Sequence, residues 1–217
     1  ATGKFGLKAA VPSLFQFSGD AYVNEMGITN PIFPNENAPQ GSATMLANCD
    51  SNSGISTPDP EDNGADINAF ANFMKMLAAP PRGSITPQVT SGDAIFTRLG
   101  CDGCHVRNIT SGTGLDQSGN VIAGISNVTY HPFGDFLLHD MGSLNDNIDQ
   151  GTGFHMRTIP LWGLRFENPS QLLHDGRANS IQQAITLHDG QGRAAANAFS
   201  SLSANDQNNL LSFLRSL

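Results

Sequence analysis

Apolar residues recur at helical spacing in four places along this chain. From Asp66 to Ala78, Ile67, Phe70, Met74 and Leu77 fall on one face, which predicts an amphipathic helix that must dock on something. Asp93 to Leu99, between Ser91 as an N-cap and Gly100 as a stop, predicts a second helix. In Ser180 to Asp189, Ile181, Ala184, Ile185 and His188 stand at i, i+3, i+4 and i+7, so His188 shares the apolar face of a short third helix. The last runs from Ser203, a capping residue, to Leu217, with Leu210, Phe213, Leu214 and Leu217 as its buried stripe. Strand patterning is weak. The polar loop near Gly112 to Gly119 and the β-branched run from Asn120 to Thr129 predict at most a small hairpin. No internal repeat is visible, and the fold class expected is mainly α.

Pro80-Pro81-Arg82-Gly83 separates two regions. Residues 1–82 read as a loop-rich extension with one helix, polar and rich in Asn, Ser, Asp and Pro from Asn30 to Asn63, docking on the remainder. Residues 83–217 read as a domain of their own. The chain has 217 residues, 39% of them hydrophobic, enough for a proper core, and no run of about 18 apolar residues that could span a bilayer. A net charge of −8, with only 11 Lys and Arg spread along the chain, argues against nucleic acid and weakly favours a basic partner.

The chemistry enters at Cys101-Asp102-Gly103-Cys104-His105. Two cysteines two residues apart can each form a thioether to a haem vinyl group, and the histidine beside them can reach the iron. A zinc site would need about four ligands and a second close Cys or His pair, which the sequence lacks. A redox dithiol would want a βαβ setting, whereas a helix is expected before Cys101. The reading is therefore one covalent haem c on Cys101 and Cys104, in a cytochrome c-like monohaem domain whose helix before the motif crosses the last helix and closes the pocket. Because such haem is attached on the export side of a membrane, a periplasmic or extracellular address is expected, the leader having been removed. Cys49 is left single, as a loop thiol or a half-cystine whose partner lies elsewhere.

His105 supplies one axial bond, and the six histidines and six methionines offer candidates for the other. His188 would point at the iron from its helix face, or else it is a histidine favourable to a helix C-terminus, ahead of the stop Asp189-Gly190. Met141, in the glycine-bearing loop His139-Asp140-Met141-Gly142, is the rival; otherwise it fills core.

Several further segments carry a family resemblance. Phe5-Gly6-Leu7-Lys8-Ala9, Asn24-Glu25-Met26-Gly27-Ile28-Thr29-Asn30-Pro31, Asp135-Phe136-Leu137-Leu138-His139-Asp140-Met141-Gly142, Arg157-Thr158-Ile159-Pro160-Leu161-Trp162-Gly163-Leu164 and Leu173-His174-Asp175-Gly176-Arg177-Ala178 resemble the exported dihaem oxidoreductases labelled "thiol oxidoreductase-like". That family is similar to the bacterial dihaem cytochrome c peroxidases. Its members look like longer chains with two haem motifs; this sequence has one and resembles their C-terminal haem half. In the peroxidase relatives that half holds a six-coordinate, electron-relaying haem, with its distal ligand a short way past a His-x-Gly motif. Here that count from His174-Asp175-Gly176 lands on His188, so the resemblance implies His105 and His188 as the axial pair, with Met141 as the alternative. Arg157 and Trp162 are expected at the propionates or haem edge, or as plain core in the case of Trp162. His139 beside Asp140 and His174 beside Asp175 could relay protons, though satisfied structural histidines are the blander reading.

The expected function is an electron-transfer module with both axial sites filled, which by itself does not turn over peroxide. Its partner would be a redox protein or a second haem domain, within an oligomer or larger complex. The alternative is a peroxidase or oxidase half whose distal site opens to bind peroxide.

Overall fold

Seven α-helices carry most of the regular structure in a computed structural model that describes residues 2–50, 58–147 and 154–217. Two antiparallel two-residue ladders are the only paired strands among the described residues, so the chain is mainly α. Backbone contacts divide it into two units. The first comprises Ala1–Phe5, Val11–Leu77 and Thr113–Ser126; the second comprises Gly6–Ala10, Ala78–Gly112 and Asn127–Leu217.

In the first unit, α1 (Leu14–Ala21) starts at Ser13, whose hydroxyl accepts from Gln16 N, and runs into one wider turn, Tyr22–Met26, that Gly27 ends. It packs against α3 (Ala65–Lys75), which brings Tyr22 within 5.8 Å of Phe70. The face expected on this helix is only partly used. Ile67 and Ala71 are fully buried, while Phe70 and Leu77 stay half exposed, because α1 is short and covers a single stripe. The helix begins at Asp62, a buried carboxylate that accepts from Gly64 N (3.1 Å), Asp66 N (3.2 Å) and Ile67 N (3.3 Å). These are the amides that a helix start leaves without partners. Asp62→Ala is expected to cost about 1–2 kcal/mol, read as a lower denaturation midpoint for this unit. Cys49 stands exposed on helix α2 (Ala43–Asp50), not in a loop as expected. Residues 51–57 of the polar stretch lie outside the described residues.

The second unit is built on α4 (Pro87–Arg98) and α7 (Ala204–Leu214), which cross. α4 starts well before the expected Asp93. Thr86 caps it through a bond from Val89 N and Pro87 occupies the first turn, where its missing N–H costs nothing; Ser91 lies inside the helix and bonds back to Pro87 O. α7 matches its expected cap and stripe: Ser203 accepts from Asp206 N, and Leu210, Phe213, Leu214 and Leu217 are buried. The core joins Phe96 of α4, Phe213 of α7 and Phe133, with ring centres 5.2–6.2 Å apart. The short helices α5 (Ile181–Thr186) and α6 (Arg193–Ser200) add Ile181 and Phe199 to it. The hairpin is as small as expected: β1 (Ile109–Thr110) pairs with β2 (Thr129–Tyr130). A second ladder pairs β3 (Leu138–His139) with β4 (Met156–Arg157), where the sequence pattern predicts none.

Candidate functional site

α4 ends at Leu99, and Gly100 takes a left-handed turn (φ +76°) that closes the helix and throws the chain into Cys101–Gly103, one tight turn. His105 N donates to Cys101 O at 3.0 Å, which holds the whole Cys-x-x-Cys-His segment in that turn. Both thiols and the His105 ring thereby face a cavity of about 450 Å3 in the second unit. Its walls are mostly aliphatic, with Leu144, Ile159, Leu161, Leu172, Ile185 and Leu214 among them.

Across the cavity stands His188. Its ring centre is 6.5 Å from that of His105, with the planes inclined by 55°. Each ring is oriented from behind by a backbone carbonyl: His105 Nδ1 is 3.0 Å from Phe133 O, and His188 Nδ1 is 2.7 Å from Ala184 O. Each Nδ1 therefore carries the proton and each Nε2 keeps a lone pair, with no hydrogen-bond partner among the described residues. Phe133 contributes through its backbone, a left-handed conformation (φ +52°) unusual for a bulky residue, which turns its carbonyl toward His105. Loss of solvent around His105 lowers its pKa to about 4, which keeps the ring neutral. Burial and the nearby Asp102 push the Cys101 thiol up to about 11, and burial with Asp135 raises Cys104. These sulfurs are favoured as neutral species, which suits thioethers and disfavours a thiolate metal site.

His188 lies two residues past the end of α5, not on it, yet the stripe Ile181, Ala184, Ile185, His188 faces the cavity together. Met141 lies on the same side. A side-chain carbon placed on Gly192 would sit 3.2 Å from both Met141 Cε and His188 Cδ2, so thioether and imidazole adjoin the same spot.

Arg157 and Trp162 also line the cavity. The half-buried Arg157 guanidinium donates through Nε to Gly6 O (2.7 Å) and lies 5.6 Å from the Phe136 ring centre, with no carboxylate partner among the described residues. Trp162 packs against Tyr130 at 5.7 Å. The two remaining cavity histidines take other partners than their sequence neighbours. His139 Nε2 meets Asp135 (2.9 Å) and its Nδ1 lies 3.9 Å from Cys104 Sγ, while Asp140 turns away to Gly142 N and Asn145. His174 pairs with Asp146 (3.1 Å), which also holds the buried Lys8 (3.2 Å); Asp175 pairs with Arg177 instead. Sequence reasoning missed Lys8, Asp135 and Asp146, and only the loop-rich polar context hinted at them.

A family model described as "Di-haem oxidoreductase, putative peroxidase" matches residues 1–217. The chain belongs to the di-haem oxidoreductase family. No curated protein and no solved structure gives a significant match. A haem cofactor and haem-based redox chemistry follow from membership, although this sequence carries a single Cys-x-x-Cys-His. The residues present fit the group. Iron bound between two imidazole nitrogens sets ring centres about 6 Å apart, close to the 6.5 Å between His105 and His188. The two thiols, the aliphatic walls and the unpaired Arg157 match the vinyl groups, the macrocycle and a carboxylate in turn.

Proposed function

We propose that this di-haem oxidoreductase chain is an electron-relay module with one covalent haem c, a cytochrome c-like second unit and a bis-histidine iron. The observation that carries the reading is the pair of carbonyl-anchored rings, His105 and His188, facing each other across a cavity that also holds Cys101 and Cys104. The bound group supplies one-electron exchange between ferrous and ferric iron. The protein holds both Nε2 atoms in place, excludes water with aliphatic walls, and offers Arg157, with Trp162 beside it, to a propionate. Cys101 and Cys104 fasten the group so that it is not lost on reduction.

All the arginines lie in the second unit, whereas the first holds Asp20, Glu25, Glu36, Glu61, Asp62 and Asp66 against only Lys4 and Lys75. A basic redox partner would be drawn to the first unit, and salt would weaken that attraction. A second haem-bearing domain is the other partner in this reading, in a periplasmic or extracellular setting.

The family description supports a second reading, a peroxidase half whose sixth position opens. Mass spectrometry of the denatured holoprotein and steady-state peroxide reduction with a reduced donor decide between them. The relay reading expects one added haem mass, a low-spin ferric spectrum and negligible turnover. Rapid turnover would establish the peroxidase reading, and a haem extracted by acid acetone would end the covalent one.

A further inference from the structure

α5 has six residues and offers His188 a single anchor, the bond to Ala184 O, so a histidine just beyond it would be free to swing. The chain immediately after His188 prevents this. Asp189 accepts from Ser143 N (3.0 Å) and from Gly190 N (2.8 Å), and it pairs with Arg193. Gln191 bonds Asp140 twice: its N donates to Asp140 O (2.8 Å), and its Oε1 accepts from Asp140 N (3.0 Å). The two segments touch backbone to backbone at a pair of glycines in left-handed conformations, Gly142 (φ +57°) and Gly190 (φ +53°). A side chain on Gly190 would overlap Asp140 O, and one on Gly142 would come within 2.7 Å of Asp189 Oδ2. The same loop presses Met141 toward the His188 ring at Gly192.

We infer that Asp189 and Gln191 are positioning residues that clamp the chain after His188 onto Asp140–Ser143 and so set how often the sixth coordination position opens. The inference rests on the reading of His188 as the sixth ligand. Departure of His188 requires the clamp to part, and its bonds include one carboxylate with two amide donors, the stronger class of hydrogen bond. Met141 acts as the backstop of the ring. The clamp makes relay chemistry the resting behaviour of this iron, because an exogenous ligand enters only through a rare opening.

Cyanide association with the ferric holoprotein reads that opening directly. Asp189→Ala and Gln191→Leu are each expected to bind cyanide about tenfold to a hundredfold faster than the parent, while the resting spectrum stays low-spin. Gln191→Glu keeps the oxygen that accepts from Asp140 N and is expected to restore a rate near that of the parent. Asp62→Ala, which weakens the first unit, is expected to leave the rate unchanged, separating the clamp from general loss of stability. If Asp189→Ala fails to hold haem, the two Gln191 variants decide alone. A parent protein with a low-spin bis-histidine spectrum and equal cyanide rates in Gln191→Leu and Gln191→Glu overturns the clamp while sparing the ligand. A parent spectrum that is not bis-histidine overturns the ligand reading and the clamp with it.

Discussion

Replacing His188 by alanine is expected to leave the haem attached and to turn the ferric iron high-spin. Attachment depends on Cys101 and Cys104, which sit on the opposite wall and share no bond with α5. The sixth position depends on a ring fixed by one carbonyl at 2.7 Å and by the chain just beyond it. Alanine removes the nitrogen and leaves a vacancy about as large as an imidazole. Free imidazole added to the variant should therefore rebind and restore the low-spin spectrum, a rescue that a misfolded protein would not show. Cyanide should bind the variant at least about a hundredfold faster than the parent, since no opening step precedes it. The neighbouring thioether makes the competing outcome concrete. If His188→Ala leaves the spectrum unchanged while Met141→Ala alters it, Met141 is the ligand. The parent potential should then sit in the higher range of histidine–methionine iron, because thioether favours the ferrous state more than imidazole does.

What could be read from the sequence is what lies close together in it. Cys101, Cys104 and His105 form one turn, and the haem motif is a local covalent pattern, so spacing sufficed. His188 was legible because three apolar neighbours at helical spacing mark the face that looks inward, even though the helix itself stops at Thr186. The partners of His139 and His174 were not legible. Adjacent aspartates suggested themselves, yet in the extended chain at β3 a neighbouring side chain points the opposite way. The true partners, Asp135 and Asp146, come from loop turns that no periodicity announces. Phe133 shows the same limit: nothing about a phenylalanine signals a left-handed backbone, and its carbonyl orients His105 only because the core holds it there. The early start of α4 was missed for a different reason. Thr86-Pro87 is a good helix opening, but no apolar stripe begins until Val89, so the later Ser91 looked like the cap.

Gly92→Ala is expected to be the most damaging single methyl in the second unit. Gly92 lies where α4 crosses α7, and an added carbon there would sit 2.6 Å from the carbonyl carbon of Asn209 and 2.7 Å from Phe213 Cβ. Neither neighbour can yield cheaply. Asn209 meets the new carbon with backbone inside a helix, and Phe213 is fully buried between the Phe96 and Phe133 rings. In an isolated helix the change from glycine to alanine would be stabilising by roughly 1 kcal/mol, so the sign of the outcome tells which effect prevails. Pushing two helices apart at their contact costs about 3 kcal/mol or more, against that gain of about 1 kcal/mol, and the crossing prevails. The melting temperature of the second unit should fall by several degrees, at about 2–4 °C per kcal/mol for a domain of this size. Because Phe96 and Phe133 flank His105, the displaced helix should also disturb the ring that binds iron, and the low-spin spectrum should broaden before the protein unfolds. A melting temperature equal to or above that of the parent would mean that α4 and α7 do not approach this closely.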